Sequence, residues 1–327
     1  MKLRSIFVKN AFLLAAALGS TIPLHAQAED VRMAYLIGLG HYQHGLSKGT
    51  FRDLPVINDI EEMGNALIKI GFAPQDITVL TDGEQPVGNS LTYRTLLTSL
   101  DPAGAPVALG HFTRVVSDAL IELEEKNSHG LIVFYFSGHG GMIVPVSGIE
   151  KESERVLAFP NSHSDDPDSF AKVYELLEKL AQRAPDVQKV LIVDACASKL
   201  RARSTTRTQA RSDEGLPVHF FSSRLGQPSF IDPETQSSLF TNVLADAFIH
   251  ADDLGEGNAD GFVDTEEVKS YLDRHFLMKT AELKRQGDAG DKAVAQKPWI
   301  VLSENLVLGR LSRAVLTDPR TTYSKTE

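Results

Sequence analysis

The chain carries one cysteine, Cys196, and that residue lies two positions after the apolar run 189–194. A second apolar run, 131–136, ends in Ser-Gly-His-Gly-Gly, whose histidine is His139. A thiol beside an imidazole is a nucleophile with its own proton shuttle. An inert buried cysteine is the alternative. The position of Cys196 after an apolar run, matched by His139 after another, favours the reactive interpretation.

The two apolar runs also predict the elements that would bring these side chains together. Continuous apolar residues bounded by glycine or charge are typical of a parallel strand that is covered on both faces. The carboxyl ends of parallel strands meet at one edge of an open α/β sheet, where such folds place their sites. We therefore expect Cys196 and His139 to lie at the same edge of one sheet.

Strand-like and helix-like segments alternate along most of the chain, which is typical of right-handed crossovers between parallel strands. We predict an α/β fold, a three-layer sandwich with a mostly parallel six-stranded sheet and helices on both faces. Segment 85–108 is predicted to be irregular, with a helical turn near 93–100, and 141–169 is predicted to be a long excursion. The six predicted strands are 32–39, 76–81, 131–136, 189–194, 217–222 and 299–302.

The first 28 residues have the pattern of a secretory signal. Three basic residues precede the apolar stretch 11–18, and Ala26-Gln-Ala28 offers a cleavage site. The stretch is too short to span a membrane, although an uncleaved anchor is the alternative. We expect an exported protein, periplasmic or secreted, with one domain over 29–311 and a polar tail over 312–327. After cleavage it would not be an integral membrane protein.

The charge of the chain argues against one class of partner. The formal net charge is −10, and removal of the signal with its three basic residues makes it −13. Proteins that bind nucleic acids need clustered lysine and arginine to neutralise phosphates. We therefore expect no nucleic-acid partner.

The two strand-end motifs together resemble those of caspase-like cysteine peptidases, the C14 family, and especially bacterial relatives of metacaspases. The spacing of His139 and Cys196 is close to the roughly 50 residues found in caspases. The resemblance implies a caspase–haemoglobinase fold and hydrolysis of peptide bonds in a peptide or protein substrate. The other segments that follow the family order are Leu54–Asp59, Phe221–Ser223, Leu239–Thr241 and Lys297–Trp299.

Roles for the reacting groups follow from chemistry and from this resemblance. Cys196 attacks as a thiolate, and His139 protonates the leaving amine as a general acid. The tetrahedral oxyanion needs backbone N–H donors, and the resemblance assigns them to Gly140 and Cys196. A histidine satisfied within a tight turn is the alternative for His139.

Asp194 stands where caspases carry glutamine. The metacaspase resemblance implies that it binds a basic P1 side chain, with Ser222 and Ser223 as further substrate-binding residues. We therefore expect cleavage after Arg or Lys. A carboxylate that caps a neighbouring loop is the alternative. Arg224 would favour an acidic P1 residue if it entered the pocket.

The segment 199–211 is basic, polar and without apolar periodicity. In the family this region often holds an exposed linker between subunits. An enzyme that prefers arginine would cut such a linker, so we predict self-processing at Arg203, Arg207 or Arg211. An uncut flexible loop is the alternative.

The segment 256–267 nearly fits the twelve-residue calcium loop of an EF-hand. Its first position is Glu rather than Asp, and an Asx-rich connection between two helices is the alternative. A second acidic patch, 162–168, is assigned to a helix N-cap. We expect that no cofactor is required and that calcium is the candidate ion. Its predicted ligands are Glu256, Asn258, Asp260, Phe262, Asp264 and Glu267.

The leading interpretation is an exported caspase-like cysteine endopeptidase, a thiol protease. One alternative is a catalytically silent caspase-like module that binds a partner or calcium. Another is a thiol enzyme of a different reaction class on an α/β fold, such as an acyltransferase. Labelling of Cys196 by a thiol-reactive peptide, and activity on peptides against acyl thioesters, would separate these functions.

Overall fold

The computed structural model describes residues 30–42, 53–81, 92–95, 107–125, 129–145, 153–160, 162–163, 166–204, 213–253, 255–286 and 296–311. The predicted signal and tail, 1–28 and 312–327, lie outside these residues. The helices are α1 (Val56–Lys69), α2 (Val107–Glu125), α3 (Val173–Gln182), α4 (Leu239–His250) and α5 (Thr265–Gln286), with short 3-10 helices at Pro74–Asp76 and Pro167–Ser169. The strands are β1 (Asp30–Gly38), β2 (Ile77–Thr81), β3 (Thr92–Thr95), β4 (His129–Ser137), β5 (Gly140–Pro145), β6 (Glu154–Leu157), β7 (Ala171–Lys172), β8 (Val187–Asp194), β9 (Lys199–Ser204), β10 (Val218–Phe221), β11 (Phe262–Asp264), β12 (Trp299–Val301) and β13 (Val307–Arg310).

The central sheet has seven strands in the order β12-β10-β8-β4-β1-β2-β3. All neighbours are parallel except β12, which runs antiparallel to β10 at one edge. The prediction of a mostly parallel α/β sheet is confirmed. The predicted count of six strands was wrong by one. The seventh strand is β3, which lies in the segment predicted to be irregular with a helical turn.

Helices cover both faces of this sheet, because successive side chains of each strand point to opposite faces. Leu36 and Tyr135 pack on one face with α1, α4 and α5. Ile37 and Phe136, the residues that follow them, pack on the other face with α2 and α3. The two separate apolar cores explain why the central strands are continuous apolar runs. The predicted three-layer sandwich is confirmed.

Smaller sheets lie outside the central one. The excursion after β4 is not irregular throughout: β5, β6 and β7 form antiparallel pairs, and β9 joins β5 in parallel. β11 and β13 form a two-stranded sheet beside α5. Among the described residues, no helix has the length and apolar character needed to cross a membrane.

Candidate active site

The parallel pairing of β4 and β8 brings the two reactive residues to the same sheet edge. Ser137 lies opposite Asp194 at the carboxyl ends of these strands. His139 and Cys196 each follow two residues later. The Gly138 N–H donates to the carbonyl oxygen of Asp194 at 3.2 Å, which ties the two strand ends together. The geometry expected from the two apolar runs is therefore present.

A cavity of about 680 Å³ opens at this edge, and both His139 and Cys196 line it. Its walls come from four chain segments and two further side chains. These are 54–56, 137–139, 194–196, 228–231, Asp59 and Ser238.

Ser229 contacts the sulfur of Cys196 from the segment that connects β10 to α4. Its backbone N–H donates to Cys196 Sγ at 3.2 Å. The thiol in turn lies 3.7 Å from the Ser229 carbonyl oxygen, which accepts from it. An N–H directed at sulfur favours the thiolate form that a nucleophilic cysteine needs.

Tyr42 fixes the position of His139. The backbone N–H of His139 donates to Tyr42 Oη at 2.8 Å. The two rings meet edge to face, with centroids 4.7 Å apart. Tyr42 is itself buried and donates to the Ala158 carbonyl oxygen at 3.4 Å. The sequence had given no role to this tyrosine, which follows β1.

Gly140 lies against the backbone of the nucleophile. The Ala158 N–H donates to the His139 carbonyl, so the Gly140 N–H points away from β6. Two residues on, the Met142 N–H donates to Ser198, and residues two apart on a strand point the same way. The Gly140 N–H is therefore directed towards segment 196–198, and its role as an oxyanion donor stays a prediction.

Two buried carboxylates form the floor of the cavity. Asp194 accepts from the Ser229 hydroxyl at 2.9 Å and from the Thr241 hydroxyl at 2.6 Å. Burial raises the pKa of Asp194, while these hydroxyl donors act in the opposite direction. Thr241 also meets the Tyr135 hydroxyl at 2.5 Å, and Tyr135 donates because the Thr241 proton goes to Asp194.

Asp59, from the first turn of α1, is the second carboxylate. It accepts from the Ser137 hydroxyl at 2.6 Å and from the Ser238 N–H at 2.7 Å. Burial raises the pKa of Asp59 well above its usual range, and the negative charge of Asp194 raises it further. Each of these two neighbouring carboxyls therefore holds its proton to a higher pH than an ordinary aspartate.

The other predicted substrate-binding residues lie elsewhere. Ser222 and Ser223 are completely buried, and their hydroxyls contact the backbone of Ala195. Neither lines the cavity, and their hydroxyls hold the chain just before Cys196, so substrate binding by these two residues stays a prediction. Arg224 is exposed in the turn that follows, and it does not line the cavity either.

The predicted cleavage segment begins as a strand. Arg203 lies in β9, opposite Val144 of β5. The expectation of a loop from residue 199 onwards was therefore wrong, because the edge of β5 pairs with this segment. Arg207 and Arg211 lie outside the described residues.

The loop resembling an EF-hand does not direct its predicted first ligand inwards. The Glu256 carboxylate pairs with Arg274 and His275 on α5 instead of turning into the loop. Asp252, four residues earlier, accepts the Asp260 and Gly261 N–H groups. Glu256 as first ligand was therefore a wrong prediction.

The other predicted ligands of this loop hold its backbone. The carboxylate of Glu267 accepts from the N–H groups of Asn258 and Asp264, and Asp260 accepts from the Phe262 N–H. Within the described part of the chain, no group of three or more His, Cys, Asp or Glu residues has the arrangement of a metal site. In the other acidic patch, Asp166 caps the short 3-10 helix Pro167–Ser169 by accepting from the Asp168 N–H, whereas the N-cap of the crossover helix α3 is Lys172.

Comparison with known proteins adds the family. The caspase-domain family matches residues 31–304. The chain belongs to the caspase-domain family. Caspase-1 from Spodoptera frugiperda is 15% identical, with a TM-score of 0.52, and the match covers 86% of this chain and 91% of that one. A protein from Geobacter sulfurreducens is 15% identical, with a TM-score of 0.48, and the match covers 82% of this chain and 92% of that one. No curated protein sequence matches.

The family confirms the resemblance seen in the two strand-end motifs, and it is a family of cysteine peptidases. Similarity to solved structures at this level of identity shows the caspase fold and nothing finer. Sequence reasoning missed three residues around the cavity of this caspase domain: Tyr42, Asp59 and Ser229. Asp59 had been noted as part of a family-ordered helix start, but a carboxylate in a first helical turn is also what the helix dipole favours.

Proposed function

We propose that the chain is an exported cysteine endopeptidase that cleaves peptide bonds after Arg or Lys. The observation that carries the proposal is one cavity that holds a cysteine, a histidine and a floor of two buried carboxylates. The thiol and the imidazole supply the chemistry, and Asp59 and Asp194 supply the selectivity. Export rests on the signal pattern of residues 1–28.

Acylation would begin when His139 takes the thiol proton of Cys196. The thiolate attacks the peptide carbonyl carbon, a C–S bond forms, and the carbonyl electron pair moves to oxygen. The N–H groups of Gly140 and Cys196 donate to that oxyanion. His139 then gives its proton to the amide nitrogen, the C–N bond breaks, and the amine leaves behind a thioester.

Deacylation would repeat the proton transfers with water. His139 takes a proton from the water, whose oxygen attacks the thioester carbon. The C–S bond breaks, the carboxylic acid leaves, and the proton on His139 returns to the sulfur. These steps use a thiol, an imidazole, backbone N–H groups and water, so the proposed reaction requires no cofactor. None of them passes through calcium, because the loop resembling an EF-hand does not fit the ion in this structure.

Selectivity for a basic P1 side chain follows from charge. A guanidinium or ammonium group entering the cavity would meet Asp59 and Asp194, and hydrogen bonds between ionised partners are about twice as strong as neutral ones. An acidic P1 side chain would be placed beside two carboxyls with little water to screen them. Arg224 is exposed outside the cavity, so it does not offset this charge.

The same preference for Arg or Lys would allow the enzyme to cleave its own chain, and we propose that it does so at Arg207 or Arg211. The backbone of Arg203 is paired in β9, and a protease needs an extended segment that is free to enter its cleft. Cleavage at Arg203 would therefore require β9 to leave β5 first. Mass determination of the purified chain would locate the cut, and Cys196→Ala should remain intact.

Hydrolysis of fluorogenic peptides with Arg, Lys or Asp at P1 tests the function. The full chain and the chain that starts at Glu29 are each assayed with calcium and with a chelator, beside Cys196→Ala and His139→Ala. We expect turnover of the Arg and Lys peptides that both substitutions abolish. Turnover of the Asp peptide alone would overturn the specificity. If no peptide is hydrolysed and Cys196 does not react with a thiol-reactive peptide, the result would favour a catalytically silent binding module.

A further inference from the structure

Ser229 contacts both functional parts of the cavity. Its backbone N–H donates to Cys196 Sγ at 3.2 Å, and its side-chain hydroxyl donates to Asp194 Oδ1 at 2.9 Å. The first contact involves the proposed nucleophile, and the second involves the proposed P1-binding carboxylate. One residue thus connects the group that reacts with the group that selects.

The position of Ser229 is itself fixed by a buried amide. The side-chain amide nitrogen of Gln296 donates to Ser229 Oγ at 3.3 Å and to the Ser222 carbonyl oxygen at 2.9 Å. Its amide oxygen accepts from the Phe230 N–H at 2.8 Å. Gln296 is 1% exposed. This amide therefore holds segment 229–230 against the end of β10.

The backbone around Ser229 is also attached to the chain that follows the nucleophile. The Ala197 N–H donates to the Gln227 carbonyl, and the Gly226 N–H donates to the Ala197 carbonyl, both at 2.9 Å. Segment 226–230 is therefore hydrogen-bonded directly to the chain that follows Cys196. A shift of the Ser229 hydroxyl would therefore also change the position of the Ser229 N–H relative to Cys196 Sγ.

The single proton of the Ser229 hydroxyl has a defined direction. An amide N–H of Gln296 points at the oxygen, and the carboxylate of Asp194 can only accept when it is ionised. The hydroxyl therefore accepts from Gln296 and donates to Asp194. Removal of the hydroxyl would leave Asp194 Oδ1 with one donor fewer and Ser229 without its link to Gln296.

We propose that Ser229 is a positioning residue that couples P1 recognition to the nucleophile. Its hydroxyl orients the Asp194 carboxylate for a basic side chain, and the same contact holds its N–H in line with Cys196 Sγ. The proposal rests on the proposed function in so far as the P1 side chain is basic. Its effect on the sulfur does not depend on peptidase activity.

The test uses Ser229→Ala, which removes the hydroxyl, and Ser229→Thr, which keeps it. Full-length variants are assayed on peptides with Arg or its neutral isostere citrulline at P1. We expect the ratio of kcat/KM for Arg over citrulline to fall about ten-fold in Ser229→Ala, because a hydrogen bond to a charged group is lost. Ser229→Thr should restore most of it. A purely structural role would lower both substrates equally and leave the ratio unchanged.

Alkylation of Cys196 by iodoacetamide provides the second readout, since it needs no catalysis. We expect the pH midpoint of the alkylation rate to be higher in Ser229→Ala than in wild type and to return in Ser229→Thr. Thr280→Val removes a buried hydroxyl that donates to Leu277 within α5, far along the chain from the cavity, and serves as the matched control. It should change neither the ratio nor the midpoint.

An unchanged Arg-to-citrulline ratio or an unchanged alkylation midpoint in Ser229→Ala overturns the coupling. If wild type cleaves no peptide, the proposed function fails, and this failure is independent of the action of Ser229 on Cys196. In that case a midpoint that shifts in Ser229→Ala and returns in Ser229→Thr still supports the action of Ser229 on Cys196. A midpoint that does not shift overturns it.

Discussion

Two regions of buried charge lie near the end of β8, and they differ in how their polar atoms are satisfied. In the carboxylate pair, Asp59 and Asp194, every oxygen accepts a hydrogen bond. On β6, the buried guanidinium of Arg155 donates one hydrogen bond, to the Ser223 carbonyl at 2.5 Å. Its Nε and Nη1 atoms have no hydrogen-bond partner among the described residues.

The difference indicates what each region is for. Burial lowers the pKa of Arg155 to about 10, and its guanidinium lies 4.4 Å from the centre of the Phe221 ring. Arg155 is 1% exposed and does not line the cavity, whereas both carboxylates do. The carboxylates are thus held in place where they line the cavity, while Arg155 packs on Phe221 outside the cavity lining.

Replacement of Asp194 by Asn has the largest expected effect on this difference. Asparagine keeps the size of the side chain but removes the charge that a basic P1 residue would pair with. We expect kcat/KM for an Arg peptide to fall about 100-fold, and much less for the citrulline peptide. Asp59→Asn should have a smaller effect of the same kind.

Asp273→Asn provides the control for this measurement, because Asp273 is an exposed carboxylate on α5 that pairs with Lys269. Steady-state kinetics on the two peptides give the comparison. Equal losses on Arg and citrulline peptides in Asp194→Asn would mean that the carboxylate holds the fold and does not select the substrate.

The pH dependence of KM is the next prediction. The pKa values of Asp59 and Asp194 are raised, so both carboxyls bind protons at a higher pH than ordinary aspartates. As pH falls, they lose the charge that attracts a basic side chain. KM for the Arg peptide should therefore rise about ten-fold towards acid pH, while KM for citrulline changes little. A parallel rise for both peptides would contradict the assignment.

Glu62, on α1, is a partly buried carboxylate near this pair, and its charge opposes folding at high pH. Burial and the neighbouring charge of Asp246 raise the pKa of Glu62 to about 7. A raised folded-state pKa means that its contribution to stability is full below the unfolded pKa of about 4.5 and is lost as pH rises towards 7. Glu62→Gln should therefore be more stable than wild type at pH 8.

The expected gain at pH 8 is about 1–2 kcal/mol, after allowing for the part of Glu62 that solvent screens. At pH 4 the two proteins should unfold alike. Urea unfolding at both pH values measures this. Glu61→Gln, one residue earlier, changes the same charge on the same helix and should not reproduce the gain. A variant less stable than wild type at pH 8 would contradict the sign.

Much of the central sheet was predictable because its strands are buried on both faces. That burial requires continuous apolar runs, as in β4 and β8, and the runs are visible in the sequence. β3 and β9 were not predicted, because their backbones pair at the edges of sheets. Thr92–Thr95 and Lys199–Ser204 carry no apolar period, and the partner of β9, strand β5, is distant in the chain.

The site was predictable where a residue type and a strand end coincide, as for Cys196 and His139. Ser229 and Tyr42 act through a backbone N–H and a ring edge, which a sequence does not display. Glu256 shows the opposite case. Its spacing matched a calcium loop, but its carboxylate turns towards Arg274 and His275 on α5. The positions of Ser229, Tyr42 and Glu256 all depend on contacts between separate elements, which the sequence does not display.

The smallest expected effect is that of Arg155→Met. Methionine removes two nitrogen donors, Nε and Nη1, that lack a partner among the described residues, and it removes the cost of burying a charge. It also leaves the Ser223 carbonyl oxygen without its donor and loses the contact with Phe221. Each of these terms is about 1–3 kcal/mol and they oppose one another. We expect the free energy of unfolding to stay within about 1 kcal/mol of wild type, and the Arg-to-citrulline ratio to stay unchanged.

Arg155→Lys is the matched variant, and it should be less stable than Arg155→Met. Lysine keeps a buried charge but lacks the planar group that packs on Phe221 and reaches Ser223. Urea unfolding of the three proteins gives the order of stability. If lysine proved more stable than methionine, the positive charge itself would be required at this position. The guanidinium would then be an electrostatic partner of the site, and its contrast with the carboxylate pair would disappear.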